Sequence, residues 1–169
     1  MNETVLSALN DQIRKELHSA YVYLAMSAHF ESESFEGFAH WMRLQAQEEL
    51  AHAMRLYDYL LRRGAVVELQ AVDAPPGEFG DPLSVFQAAL EHERFITASI
   101  HECYKHARVH SDVATQRELD WFVIEQVEEE ENAGRAVDLL TKAGDNDAVL
   151  LMLDREFGSR VAEEEAAGA

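Results

Sequence analysis

The sequence contains little cysteine, little proline and few basic residues. Its one cysteine, Cys103, excludes an intrachain disulfide, and no Cys/His spacing typical of a zinc site occurs. The 3 prolines and 8 glycines cluster between periodic segments, which favours a helical protein. Lys and Arg number 14 against 32 Asp and Glu, a net charge of −18. So acidic a chain is expected to repel nucleic acid and anionic membranes and to attract cations, although solubility alone also explains an acidic surface.

Long apolar runs are also missing. No stretch approaches the ~18 consecutive apolar residues of a membrane span. Residues 1–17 lack the basic start and the apolar run of a signal peptide. These absences predict a cytoplasmic protein with no membrane partner. A chain of 169 residues that is 47% apolar is expected to form one domain over residues 1–169 with a substantial core.

Apolar residues recur with a period near 3.6 in five segments, which predicts five helices. The stripe of the first segment includes Glu16 and ends at Leu24. Ser34 is the expected N-cap of the second segment, and Asp81 followed by Pro82 is a strong start signal for the third. The predicted helices span about 2–31, 35–63, 82–110, 112–143 and 147–160.

The connection between the second and third helices is long, on the order of 17 residues, whereas antiparallel neighbours need only about 2–8. Such a connection is long enough to return along the whole bundle and to begin the third helix at the opposite end. The sequence therefore predicts an all-α fold. It is a four-helix bundle with one long crossover between helices two and three, plus a short fifth C-terminal helix.

Each long helix carries a glutamate near the middle of its apolar stripe. The four are Glu16, Glu49, Glu93 and Glu129, and His52 stands one turn after Glu49. Any one of them has an ordinary explanation, because a carboxylate at the edge of a bundle reaches water or pairs with Lys or Arg. Together they are harder to explain, since burying several unpaired carboxylates costs several kcal/mol per ion. Four inward carboxylates and one imidazole instead predict a di-iron site, with oxygen-rich ligation that suits iron or manganese.

Several segments resemble those of the non-haem bacterial ferritins, from Leu9 to about Phe157. The matching segments are LNDQIRKEL, AYVYLAMSAHF, FEGFAHWMRLQAQEELAH, HERFIT and DWFVIEQVEEEE. The resemblance implies an iron-storage protein with ferroxidase activity, which oxidises Fe(II) with dioxygen or hydrogen peroxide. It also implies a homo-oligomeric shell of 24 subunits that encloses the ferric mineral.

The resemblance also implies roles for individual residues. The first iron is expected on Glu16, Glu49 and His52, and the second on Glu49, Glu93 and Glu129, with Glu49 as the bridge. Gln126 is expected beside the second iron, where it orients the oxygen species, and Tyr23 is a candidate electron donor or a packing residue. A third iron site is expected at Glu48, Glu125 and Glu128. Haem is not expected, because Leu50 occupies the position of the haem-ligating methionine of bacterioferritins.

Two other functions stay open. A di-iron oxidase or peroxidase uses a similar bundle, but a second Glu-x-x-His is missing, since Gln126 and Glu129 stand in its place. A non-enzymatic bundle that binds cations on acidic faces is the third possibility. Asp112, Glu118 and Asp120 lie close to where ferritins place threefold pores, and surface solvation explains them about as well. The apolar residues of the fifth segment are expected to pack at a symmetry axis of the shell.

Overall fold

The computed structural model describes residues 1–161, which contain five α-helices and no strand. Four long helices form a bundle, and a short fifth helix follows, as the fold class predicted. Within residues 1–161 no helix has the length and apolar character needed to cross a membrane. The helices are α1 (Glu3–Ser32), α2 (Glu36–Arg62), α3 (Pro82–Val109), α4 (Val113–Ala143) and α5 (Asp147–Phe157).

Side-chain caps explain where most of the helices begin. Asn2 caps α1, Asp112 caps α4 and Asn146 caps α5, each by accepting hydrogen bonds from backbone N–H groups of the first turn. Asp81 accepts from Ser84 N at 2.7 Å, and Pro82 takes the first helical position of α3. These caps satisfy N–H groups that have no partner inside the helix.

The beginning of α2 differs from the prediction that Ser34 caps it. Ser34 lies in the turn after α1 with a φ of 65°, and the N-cap position belongs to Phe35, whose side chain makes no capping hydrogen bond. The carboxylate of Asp154 in α5 accepts the hydrogen bond from Phe38 N at 2.8 Å instead. A residue 116 positions away therefore caps α2, and this contact fixes α5 against the bundle.

The crossover between α2 and α3 runs along α1. Near the beginning of α1, Asn10 bonds the crossover backbone, donating to Val66 O at 3.2 Å and accepting from Glu68 N at 2.9 Å. Near the end of α1, His29 bonds Gly80 O at 2.9 Å. The crossover thus spans the length of α1, and α3 begins at the same end of the bundle as α2. This is the topology that brings one face of each long helix to the centre.

The apolar core is divided into two clusters. One surrounds Phe30, Phe38 and Phe86, and the other surrounds Leu56 and Phe122. On every long helix the two clusters are separated by the stripe positions at which the glutamates stand. A polar slice therefore crosses the middle of the bundle, and we call it the central slice; its members are Glu16, Glu49, His52, Glu93, Gln126 and Glu129.

The prediction that the apolar stripe of α1 continues to Leu24 was wrong. Leu24 is 49% exposed, whereas Tyr23 is completely buried. The reason is helical geometry. At 100° per residue, a position eight residues after Glu16 is turned about 80° from it, whereas a position seven residues after is turned only about 20°. Leu24 and Leu50 instead line an outward-facing groove between α1 and α2, with a volume of about 720 Å³.

The contact between α5 and α2 predicts a large effect of one methyl group. A Cβ atom on Gly37 would lie 1.7 Å from Asp154 O, which is backbone and cannot move away cheaply. We therefore expect Gly37→Ala to lower the free energy of unfolding by about 1–3 kcal/mol. Gly134→Ala in α4 is the control, because a Cβ there meets no atom within 4 Å in the described structure. It is expected to stabilise the helix by about 0.5–1 kcal/mol. Urea denaturation measures both changes, and wild-type stability for Gly37→Ala would contradict the contact.

Candidate metal centre

The central slice holds carboxylates from all four long helices. Glu16, Glu49 and Glu93 are 0% exposed, and Glu129 is 4% exposed. His52 joins them from α2, one turn after Glu49, at 3% exposure. Charged groups are almost never this deeply buried without partners. The slice therefore requires a compensating positive charge, either protons or metal ions.

Glu16, Glu49 and His52 form a compact group. Each offers a ligand atom, and these atoms lie within 4.8 Å of one another. Spacing along the helix accounts for part of this arrangement, because residues three apart share one face of α2. His52 Nδ1 lies 3.9 Å from Glu49 Oε2, so Nδ1 is the ring nitrogen that faces Glu49. The three residues expected to hold the first iron are thus together.

Several of these buried atoms have no hydrogen-bond partner within residues 1–161. They are one oxygen of Glu16, both oxygens of Glu49, Nδ1 of His52 and Oε1 of Gln126. Buried polar atoms in folded proteins are nearly always hydrogen-bonded, so a group of exceptions at one place needs an explanation. All of these atoms are lone-pair donors to metals. Three carboxylate oxygens and one imidazole nitrogen fit ferrous iron.

Glu93 and Glu129 are held by hydrogen bonds across the bundle. The Tyr23 hydroxyl donates to Glu93 Oε1, and Gln126 Nε2 donates to Glu93 Oε2 at 3.3 Å. Gln45 Nε2 donates to Glu129 Oε2 at 2.7 Å. Tyr23 and Gln126 thus both contact the carboxylate expected at the second iron. Glu93 belongs to neither of the groups of potential ligands found in the described residues, and both of its oxygens accept these hydrogen bonds.

The three glutamates expected at a third iron site lie in different surroundings. Glu125 Oε1 is 4.0 Å from His52 Nε2, and it forms a second potential ligand group with His52 and Glu129. This position suits a carboxylate that orients a ligating histidine through its other nitrogen. Glu48 is paired with Arg160, and Glu128 is exposed. Among residues 1–161 the three do not form one ligand group, so a third site stays a prediction.

Burial dominates the ionisation of the central slice. Desolvation, followed by repulsion from neighbouring carboxylates, raises the pKa of Glu49 and Glu129 well above the usual value. Desolvation raises the pKa of Glu93 to about 7, and the hydrogen bond from Tyr23 opposes this rise. Burial lowers the pKa of His52 to about 4, so its imidazole is neutral at physiological pH. The neutral imidazole can bind a metal ion without first losing a proton. The protonated carboxyl groups can exchange their protons for metal.

Two glutamines support the slice, and no role was predicted for them. Gln12 is fully buried and donates to Glu16 Oε1 at 2.8 Å, and it accepts from Ser99. Gln45 holds Glu129, as described above. A sequence signal was present, since each glutamine lies on the inward face four residues before a slice glutamate, Glu16 or Glu49. Their partners could not be read from the sequence, because Gln45 bonds across the bundle to α4.

The acidic residues near the beginning of α4 are paired with arginines. Asp112 lies 3.0 Å from Arg63, and Glu118 lies 3.0 Å from Arg55. Asp120 likewise lies 3.1 Å from its helical neighbour Arg117. Each of the three acidic side chains thus has an arginine partner within its own subunit, and their place at a threefold pore stays a prediction.

A bundle with this crossover and carboxylates at its centre defines the class of ferritin-like proteins. A family model described as the ferritin-like domain matches residues 6–143. The chain belongs to the ferritin family, as a relative of the bacterial non-heme ferritins, and its function is iron storage. A bacterial non-heme ferritin of Bacteroides fragilis is 41% identical over 160 residues, covering 95% of this chain and 99% of the relative. One of Staphylococcus aureus is 38% identical over 165 residues, covering 98% and 99%.

Solved structures agree with the sequence relatives. The open pore ferritin from the hyperthermophilic archaeon Archaeoglobus fulgidus superposes with a TM-score of 0.94 at 44% identity, covering 95% of this chain and 99% of that one. A closed form of the same ferritin, engineered by mutagenesis, gives a TM-score of 0.95 at 44% identity, covering 96% and 99%.

Proposed function

We propose that this ferritin is a ferroxidase that oxidises iron in the central slice before storing it. Iron is the substrate and the stored product. The observation that carries the proposal is the group of unpartnered, buried donor atoms on Glu16, Glu49, His52 and Gln126. A protein that only encloses iron has no need of such atoms inside each subunit, whereas binding of two ferrous ions would compensate them.

The charges and electrons of the proposed reaction balance. Four ionised carboxylates offset two ferrous ions, and His52 adds a neutral ligand. Each ferrous ion gives up one electron, and dioxygen takes up both electrons with two protons to form hydrogen peroxide. With hydrogen peroxide as the oxidant, the O–O bond breaks, and two electrons and two protons complete two waters. The ferric product then moves to the mineral.

Individual side chains supply distinct functions in this scheme. Glu49 would bridge the two irons, as the resemblance to the bacterial ferritins implies. Its carboxyl group is close enough to both Glu93 and Glu16 for their charges to raise its pKa. Tyr23 is a candidate electron donor, and its phenolic proton has an acceptor in Glu93 Oε1 when the electron leaves. The amide of Gln126 keeps its donor on Glu93 and Thr97, which leaves its oxygen for the reacting species or a bound water.

Storage requires a cavity, which one bundle does not provide. We propose a 24-subunit shell, with a mass of about 460 kDa from chains of 19.1 kDa. Exposed apolar side chains on the outer faces of the bundle support an assembly, Leu24 and Leu50 among them. The cytoplasmic location also stays a prediction.

Native mass and iron content separate this proposal from a di-iron oxidase. After aerobic ferrous addition, a ferroxidase that stores iron is expected as a large particle holding far more than two iron atoms per chain. A dimer that retains two irons per chain and consumes an organic substrate would favour the oxidase. Oxidation no faster than that of free ferrous ion in buffer would contradict both the ferroxidase and the oxidase.

The ionisation of Glu93 predicts how the metal-free protein responds to pH. Because the folded-state pKa of about 7 exceeds the ordinary 4.5, the folded state binds this proton more tightly than the unfolded state does. The resulting stability is fully present below about pH 4.5 and is lost as the pH rises through 7. Its size is on the order of 3 kcal/mol.

Glu93→Gln removes this contribution, because glutamine cannot ionise, and it also removes the charge of Glu93 that raises the pKa of Glu49 and Glu129. Denaturant midpoints of metal-free wild type and Glu93→Gln, measured between pH 5 and 8, should diverge, with the wild type falling more steeply. His52 has the opposite slope, but it is common to both proteins and cancels in the comparison. Parallel curves would show that Glu93 is ionised in the folded protein well below neutrality.

Leu50, the residue after Glu49, leads us to expect that haem is not bound. Leu50 is 48% exposed beside the groove between α1 and α2, and a leucine side chain offers no ligand atom to haem iron. After incubation with haem and desalting, the protein should show no Soret band. Leu50→Met is the matched variant, since it adds the thioether at the same place. Stoichiometric haem in the wild type would contradict this prediction.

A further inference from the structure

Arg160, which follows α5, lies against the outside of the central slice. Its Nη2 donates to Glu48 Oε2 at 3.0 Å and to Glu48 Oε1 at 3.2 Å. Its Nη1 donates to Gln45 Oε1, and its guanidinium lies 5.1 Å from the centre of the Trp41 ring. Its backbone carbonyl accepts a hydrogen bond from His40 Nε2 at 3.0 Å. Contacts with four residues of α2 thus hold one arginine in a defined position.

The guanidinium occupies both oxygens of a carboxylate that is expected to bind iron. The side chains of Arg160 and Glu48 are only 17% and 18% exposed, so water screens this pair less than a surface pair. An arginine keeps its charge at any physiological pH. A metal ion that uses Glu48 must therefore displace Arg160 or share its acceptor, and the cation already present weakens metal binding.

Gln45 extends the effect of Arg160 into the slice. Arginine can only donate hydrogen bonds, so the amide of Gln45 must turn its oxygen toward Arg160. Its Nε2 then faces inward and donates to Glu129 Oε2 at 2.7 Å. Gln45 is 0% exposed, so neither end of its amide can turn to water instead. A reversed amide would place its NH₂ group against the Arg160 donor and its oxygen against Glu129 Oε2, and both hydrogen bonds would be lost. Arg160 thereby fixes the direction of the hydrogen bond that Gln45 donates to Glu129, a carboxylate expected to bind the second iron.

We propose that Arg160 is a built-in counter-cation of the third-iron position. It pairs with Glu48 while that position is empty of metal, it is displaced when a metal ion binds Glu48, and it positions Glu129 through Gln45. The affinity for the third metal is therefore set by a residue that lies three positions beyond the end of α5. This inference rests on the proposed third site, since it requires Glu48 to bind metal.

Zinc titration tests the proposal without oxidation chemistry. Isothermal titration of assembled, metal-free protein with Zn²⁺ should resolve a weaker site that depends on Glu48, in addition to the sites of the central slice. Arg160→Gln is expected to tighten this weaker site by about tenfold, because a competing unit charge at about 3 Å is removed. Arg160→Lys keeps the charge and should leave the affinity near that of the wild type. Arg155→Gln, an exposed arginine on α5, is the control and should change nothing.

Glu48→Gln separates the two ways in which the inference can fail. If Glu48→Gln removes the weaker zinc site but Arg160→Gln does not tighten it, the proposed role of Arg160 is wrong, whereas the prediction of a third site is supported. If Glu48→Gln changes no zinc binding at all, the third site itself is absent, and the inference falls with it. A purely structural role for Arg160 would lower the denaturation midpoint of both Arg160 variants and leave zinc affinity unchanged, which also contradicts the proposal.

Discussion

Glu49→Ala is expected to abolish rapid ferrous oxidation, with a loss of about 100-fold or more. The alanine removes the only side chain proposed to ligate both irons, whereas loss of a group that merely supports a ligand typically costs 10–100-fold. Folding should survive. Both Glu49 oxygens are buried and without partners within residues 1–161, so their removal relieves a cost in the metal-free protein. Stopped-flow oxidation at two ferrous ions per chain measures the effect.

Two companion variants make the test specific. His52→Ala removes a proposed ligand of one iron and should slow oxidation strongly without abolishing it. Glu128→Ala changes an exposed residue expected to act only at the third site. It should keep fast oxidation of the first two irons and alter the ratio of iron to oxygen or the later turnovers. Wild-type rates in Glu49→Ala would show that oxidation occurs elsewhere in the protein.

Deletion of residues 147–169 is expected to impair assembly or to leave a shell that leaks iron. The segment contains α5, whose Leu153 belongs to the core cluster around Phe30, Phe38 and Phe86 and whose Asp154 caps α2. The structure therefore gives α5 a role within one subunit that was not anticipated, because the whole helix was expected to pack at a symmetry axis. Its outer face still carries Leu151 at 51% exposure and Met152 at 60% exposure.

A surface variant separates assembly from folding. Replacing Leu151 and Met152 together by glutamate leaves the Leu153 and Asp154 contacts in place. We expect native helicity by circular dichroism but a smaller particle by native mass spectrometry. Glu156→Gln, on the exposed side of the same helix, should assemble normally. An intact, iron-retaining particle after the full deletion would contradict an assembly role for α5.

The architecture follows from local signals in the sequence. Helical periodicity marks the long helices, and Asp81 with Pro82 marks the beginning of α3 because both the cap and the fixed proline φ act within one turn. The inward glutamates were predictable for the same reason. A residue's face on a helix depends only on its spacing from its neighbours, as Glu49 and His52 illustrate.

The details that were missed depend on contacts between distant segments. Ser34 resembled an N-cap, but the cap of α2 comes from Asp154, which reaches it only because Gly37 allows α5 to approach closely. Arg160 follows α5, so its contact with Glu48 depends on the same packing. No local pattern around Arg160 indicates where its side chain lies. Leu24 was misplaced for a different reason, since a small error in helical phase grows along a long helix.

Anomalous diffraction at the iron edge, from crystals soaked anaerobically with ferrous ion, tests the central claim most directly. Two peaks per chain are predicted inside the bundle. One should lie among Glu16, Glu49 and His52, and the other between Glu49, Glu93 and Glu129, with Glu49 contacting both. Peaks confined to surface carboxylates, with the central slice free of iron, would contradict the account.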